Sequence, residues 1–284
     1  LSLALLASVI SPVTLVGHGE TNSPQSNNSI TGYVKYTLLL FNNTVIRGNY
    51  NGVNLVCRPV GIAYDPSNGY LYVTEYCSNT VSVIDPANNS VIATIGGVGN
   101  GTVEIAYDPG NGYLYVTDSV SSSVSVIDPA NNSVIATIGA GNHPFGIAYD
   151  PKNGYLYVTD SCSNYVVVID PASNSVISTI GVGVHPFGIA YDPKNGYLYV
   201  TDSYCGSVWV IDPSNNSVIS TIRDEPNPWG IAYDPSNGYL YVTDSGFYCV
   251  SVIDPASNSL ISDIRVGGYP FGIAYDPSNG YLYV

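Results

Sequence analysis

Basic residues are the scarcest feature of this chain: seven Lys and Arg stand against 21 Asp and Glu in 284 residues, a formal charge of -14. Nucleic-acid phosphates need a basic surface, so nucleic acid is excluded as a partner. Charge of either sign is sparse, at 10%, but apolar residues make up 45% and include 26 tyrosines, so a packed core is expected rather than disorder. A sustained helical period is absent, which excludes helical solenoids and the crossover helices of a parallel sheet. EF-hand and RTX calcium spacings, CxxC metal spacing and the Gly-His/Trp-Asp pair of WD40 blades are absent as well.

What is present is a repeat. GIAYDP recurs, once with its glycine replaced, and places isoleucine at Ile62, Ile105, Ile147, Ile189, Ile231 and Ile273, in steps of 43 and then 42. Each unit holds four short runs rich in Tyr, Val and Ile, which read as strands. In the unit beginning at Gly146 the first two runs are separated by Asp-Pro-Lys-Asn-Gly and the last two by Asp-Pro-Ala-Ser-Asn-Ser. Both are tight-turn sequences: Asp accepts backbone amides, Pro presets φ, and Gly or Asn tolerates positive φ. A four-stranded antiparallel meander of about 42 residues is the unit of an all-β propeller. Alternation in YLYV puts Tyr155 and Tyr157 on one face and Leu156 and Val158 on the other, so both faces are built to pack a neighbouring blade. Three Tyr per unit account for most of the tyrosines, so their abundance is architectural.

The ends read differently. LSLALLASVISPVTLVG followed by HGETNSPQSNNS resembles the apolar core and exit of a secretory signal, without an initiator Met or a basic start. Residues 1–30 are therefore expected to be a signal-peptide remnant with a polar linker, and 31–284 a propeller cut short at its C-terminus. A membrane anchor is the alternative, but the run is short for a span. Sequons at Asn27, Asn42, Asn88, Asn100, Asn131 and Asn215 agree with export and glycosylation, although Asn-rich turns create some of them. Five full blades are expected from about 58 to 272. A degenerate strand pair over 33–50, turning at Asn42-Asn43, is expected to supply the outer strands of a composite sixth blade begun by 272–284, which would remove both free edges.

The segments GIAYDP, YVTE (Tyr72 to Glu75), YVTD (ending at Asp118, Asp160, Asp202 and Asp244) and VxVID resemble the YVTN family of β-propeller repeats over residues 57–284. Related NHL repeats share the PxGIA opening. The chain departs from the Asn that names the family, and Asp can cap the same loop. The resemblance implies an exported cell-surface or surface-layer protein, usually of about seven blades.

In a propeller the loop leading into the first strand and the loop joining the second and third strands share one face, and both Asp-Pro turns lie on the other. Four residues before the repeat isoleucine stand Arg58, Gly101, His143, His185, Asn227 and Tyr269; two before it stand Val60, Val103, Phe145, Phe187, Trp229 and Phe271. The first set is expected to ring the channel mouth, and the second to pack as an aromatic layer beneath it rather than to act as a carbohydrate platform. His143, His185 and Glu104, which replaces the repeat glycine, offer a metal or acid/base site of the kind the resemblance to propeller lyases and lactonases suggests. The other blades supply poor ligands, so no metal or cofactor is expected. The repeated Asp-Pro carboxylates are read as turn caps rather than a calcium crown. Cys77, Cys162, Cys205 and Cys249 follow second strands and Cys57 leads into a first strand, all on one face; export makes disulfides expected, with Cys57–Cys77 and Cys162–Cys205 the pairs to test and free thiols the alternative.

The expected function is a non-enzymatic, secreted or cell-surface binding, adhesion or envelope scaffold whose partner is a cell-surface protein or glycan, with contact to membrane only through the export signal or an anchor outside this sequence. The binding residues expected at the mouth are Arg58, Glu104, His143, His185, Asn227, Trp229 and Tyr269. The rival is an exported lyase- or lactonase-like enzyme using that mouth. A quinone-dependent dehydrogenase is set aside, because such propellers dock their blades with repeated Trp and only Trp209 and Trp229 exist here.

Overall fold

The computed structural model describes residues 47–50, 53–56, 59–223, 227–276 and 279–284. They contain strands and turns and no helix. Five four-stranded antiparallel sheets follow one another along the chain, each paired in sequence order. Blade I comprises Pro59–Asp65, Tyr70–Glu75, Thr80–Asp85 and Ser90–Ile95. Blade II comprises Thr102–Asp108, Tyr113–Asp118, Ser123–Asp128 and Ser133–Gly139. Blade III comprises Pro144–Asp150, Tyr155–Asp160, Tyr165–Asp170 and Ser175–Gly181. Blade IV comprises Pro186–Tyr191, Leu198–Asp202, Ser207–Asp212 and Ser217–Arg223, and blade V comprises Pro228–Asp234, Tyr239–Asp244, Cys249–Asp254 and Ser259–Arg265. This is a propeller arrangement of five blades.

The turns form as their residues dictate. Asp150 Oδ1 accepts the Lys152 amide at 2.8 Å, and Gly154, at φ +77°, closes the turn by donating to the Asp150 carbonyl. The turn between third and fourth strands uses Asp170 Oδ1 on the Ala172 amide and Asn174 at φ 49°. The same carboxylate-to-amide bond recurs in the other blades, as at Asp65, Asp108, Asp85 and Asp128. The Asp-Pro carboxylates are thus turn caps, as expected.

The alternation in YLYV has the predicted consequence. Tyr157, Val166, Val168 and Ile180 of blade III pack with Leu198, Val200 and Ile211 of blade IV, while Leu156, Val158 and Ile169 face Tyr115, Val124 and Val126 of blade II. Fully burying one such side chain contributes about 1.5–3 kcal/mol, so each interface carries many times what a lone blade could hold. First strands of successive blades touch one another around the axis, whereas fourth strands splay outward and meet only lightly.

A threonine clasp reinforces the inner ring. Thr74, Thr117, Thr159, Thr201 and Thr243, the T of each YVT, donate from Oγ1 to the carbonyl oxygens of Val103, Phe145, Phe187, Trp229 and Phe271 in the following unit, at 2.5–2.7 Å. Each hydroxyl also accepts the amide of its own blade at the repeat glycine position, as from Gly188 to Thr201 at 2.8 Å. A register shift between Pro186 and Ile189, repeated in every blade, turns that segment out of the ladder and frees these groups. The glycine is required by space: a Cβ on Gly146, Gly188 or Gly230 would overlap the carbonyl oxygen of Phe187, Trp229 or Phe271.

Among the described residues no composite sixth blade is assembled. Ala274–Asp276 pairs with Tyr281–Tyr283 alone, and Arg47–Tyr50 pairs with Val53–Val56 in a separate two-stranded sheet. These strands have three and four residues, against six or seven for the outer strands of the five blades. The Asn42-Asn43 turn, most of the 33–50 pair and the expected signal segment lie outside the described residues.

Candidate binding face

The lead-in loops and the loops after the second strands meet on one face, joined by backbone bonds such as Ser161 to the His143 carbonyl. Beneath them, at the end of each second strand, sits a buried acid: Glu75, Asp118, Asp160, Asp202 or Asp244. Asp160 shows what this residue does. Its Oδ2 accepts the Asn142 amide at 2.8 Å, and its Oδ1 accepts the His143 amide at 3.0 Å and the Ser163 amide at 3.3 Å, tying both loops to the blade. Asp202 Oδ1 holds the Tyr204 and Cys205 amides, and its Oδ2 takes Trp209 Nε1 at 3.2 Å. In blades I, II and V a third-strand serine fills the role of that indole: Ser82 on Glu75, Ser125 on Asp118 and Ser251 on Asp244. Burial pushes Asp118 up to about 6, against the hydrogen bonds from Ser125 and Ser123 that pull the other way.

At the channel mouth four aromatics form a continuous arc. Phe145 meets Phe187 edge-on with ring centroids 4.8 Å apart, Phe187 stacks on Trp229 at 4.1 Å, and Trp229 meets Phe271 edge-on at 5.0 Å. Their carbonyls are the ones clasped by threonine, so the arc is held at the backbone as well as by its rings. This is the packing layer the spacing predicts, half-buried over blades III–V and open at Phe271. Glu104 follows Val103 in the same ring of first strands, and its carboxyl lies over Gly61 of blade I and accepts its neighbour Ile105's amide. Burial by the surrounding protein pushes it up to about 8, although the residue as a whole is only half-buried.

The other mouth residues stand apart. His143 is half-buried with Nδ1 3.1 Å from Ser161 Oγ, a local tie between its loop and the next. Ser161 is buried and its hydroxyl also donates to the His143 carbonyl, so the pair is a clamp rather than an exposed nucleophile; Ser119 does the same to Gly101. His185 is exposed, at φ 58°, with its ring 6.2 Å from Tyr204. Asn227 and Tyr269 are exposed at φ 67° and 55°, and Tyr269 packs edge-on against Tyr248 at 5.3 Å. Among the described residues no three His, Cys, Asp or Glu side chains converge, so His143, His185 and Glu104 do not form one ligand set. Arg58 and Cys57 lie outside the described residues. Cys77, Cys162 and Cys205 are exposed free thiols, so the expected Cys162–Cys205 bond is not formed here; Cys249 is buried, with its thiol directed at Asp244 Oδ2.

A family profile described as "Repeat of unknown function (DUF6923)" matches residues 60–217 and again 105–266, well over half of the chain. The chain belongs to this repeat family. None of the curated proteins compared matches this chain. Among solved structures it is similar to hydrazine synthase of Kuenenia stuttgartiensis, with a TM-score of 0.62 and 19% identity over 83% of this chain and 95% of that one. It is also similar to virginiamycin B lyase from Staphylococcus aureus, with a TM-score of 0.65 and 16% identity over 76% of this chain and 73% of that one. A catalytically inactive variant of the same lyase with quinupristin gives 0.66 and 17% over 78% and 76%. At these identities the likeness concerns the propeller fold.

One set of residues in this DUF6923 chain escapes sequence reasoning, and a second is only partly legible. The threonine clasp is written five times as YVT, a repetition that flags a structural duty without revealing that its acceptor is in the next blade. The aromatic arc is visible as a column of residues, but its ring-to-ring continuity depends on how close the first strands come at the axis.

Proposed function

We propose that this protein is a non-enzymatic binding or scaffold module, an exported propeller of the YVTN type that meets a cell-surface protein or glycan through its loop face. The observation that carries this reading is the use of the polar side chains beneath that face. The acids Glu75, Asp118, Asp160 and Asp202 and the histidine His143 hold loops in place. What the loops then turn outward differs from blade to blade and is rich in aromatics: Phe247, Tyr248, Tyr269 and Phe271 are each between 43% and 66% exposed. Exposed aromatics on rigid supports are the usual anchors of an interface, because they bury large area at little conformational cost. The lyase- or lactonase-like alternative needs His143, His185 and Glu104 to act together, and their separate environments favour binding over it.

The test is retention on purified cell envelopes and on an array of surface glycans. The intact chain is expected to bind one of them, and the Tyr248→Ala, Tyr269→Ala double variant to lose that binding while its melting curve holds. Equal retention of the double variant would refute the role given to these aromatics, and metal-dependent turnover abolished by His143→Ala with His185→Ala would replace this reading with the enzymatic one.

A further inference from the structure

Near-identical blades make the repeat its own control, since a residue carried by one blade alone is not demanded by the fold. Blade IV departs from its neighbours at positions that meet in space. Where blades I, II and V carry Ser82, Ser125 and Ser251 and blade III carries Val167, blade IV carries Trp209. Where the fourth strands of blades I to III end at Gly96, Gly139 and Gly181, it carries Arg223, a change shared only by Arg265 of blade V. The loop after its second strand adds Tyr204, 75% exposed. Trp209 is paired with Thr221 and Ser207 with Arg223 across the two outer strands, so the two-residue period puts all four on one sheet face. With Tyr204 and Cys205 they line an open cavity of about 500 Å³.

The indole is more than the loop clamp requires. A serine hydroxyl satisfies the equivalent carboxylate in three other blades, so Trp209 performs a hydrogen-bonding task that a small residue performs elsewhere and adds an aromatic wall to the cavity. Arg223 is exposed and lines the same cavity as Trp209. A planar five-donor fork beside an aromatic wall matches a carboxylate attached to a ring.

We infer that this cavity binds a small carboxylate carried on a ring, with the Arg223 guanidinium taking both carboxylate oxygens and the ring lying against Trp209 and Tyr204. Acidic sugars and aromatic carboxylates share that chemistry. The chain's charge of -14 opposes polyanions, so a single acidic group on an otherwise neutral body fits best. The inference uses none of the aromatics invoked for the loop face, and either reading can fail without the other.

The experiment uses the full chain in a Trp229→Phe background, where Trp209 is the sole indole, titrated with glucuronate and with benzoate, and with glucose and benzyl alcohol as uncharged counterparts. Saturable change in Trp209 emission is expected with one or both acids and with neither neutral compound, and the acid that works identifies the source. Calorimetry on the unmodified chain is expected to give the same ranking. Arg223→Gln, which keeps size and removes charge, is expected to weaken binding by about tenfold or more with an unchanged melting curve. The inference is overturned if neither acid binds up to about 50 mM, if the neutral compounds bind equally, or if Arg223→Gln binds as well as the parent.

Discussion

Replacing Glu104 by Gln tests the electrostatics of the inner ring directly. Glu104 stands where four other blades have the repeat glycine, and crowding raises its carboxyl from 4.5 to about 8. At about 1.36 kcal/mol per unit the full shift corresponds to a ceiling of roughly 5 kcal/mol. The residue is only half-buried, and solvent screening of its charge reduces the expected size to about 1–3 kcal/mol. The sign follows from proton uptake on folding. Below pH 4.5 the folded and unfolded chains both hold the proton; between 4.5 and 8 only the folded chain does; above 8 neither does. Stability due to this group is therefore complete at acid pH, declines as pH rises from 4.5 to 8, and is level beyond that. Asp118, raised from 3.8 to about 6, adds a slope of the same sign between those values. Urea denaturation followed by circular dichroism at pH 4.5, 6.5 and 8.5 is the assay. Relative to the parent, Glu104→Gln is expected to gain about 1–3 kcal/mol between the lowest and highest pH, while retaining the Asp118 slope. A parent-to-variant difference constant across that range, or one of opposite sign, would refute the assignment of a raised carboxyl to this site.

Other perturbations address the blade interfaces and the thiols. Thr201→Val keeps the shape but strands the Trp229 carbonyl and the Gly188 amide, so a loss of about 2–4 kcal/mol is expected in urea denaturation, with Thr201→Ser restoring most of it. Gly188→Ala drives a methyl into the Trp229 carbonyl and is expected to cost about 2–3 kcal/mol, whereas Gly272→Ala, which meets nothing within 4 Å, is expected to leave the melting temperature unchanged. Iodoacetamide applied to the native chain is expected to modify Cys77, Cys162 and Cys205 within minutes and Cys249 only after unfolding, read by peptide mass spectrometry. Protection of Cys162 and Cys205 in material secreted without reductant would instead indicate the cross-link expected from their positions.

The blade was legible before any coordinate because its determinants are local. Strand identity follows from runs such as YLYV and VVVID, turn type from Asp-Pro and Asn-Gly, and the two packing faces from the alternation of Tyr157 with Leu156 and Val158. Repetition at a fixed step then fixes the number of units and sorts the loops by face, which is why the capping roles of Asp150 and Asp170 were readable. Contacts between units were not readable, because no local pattern states how closely two first strands approach. That distance decides that Thr201 bonds to Trp229, that Gly188 has no room for a methyl, and that Phe187 and Trp229 stack. It also decides that Glu104 is crowded by blade I while His143 and His185 stay in separate loops. The chain's local sequence thus determined the unit and its copies; packing across the axis, where residues some 28 apart in sequence meet, determined the clasp and the aromatic arc.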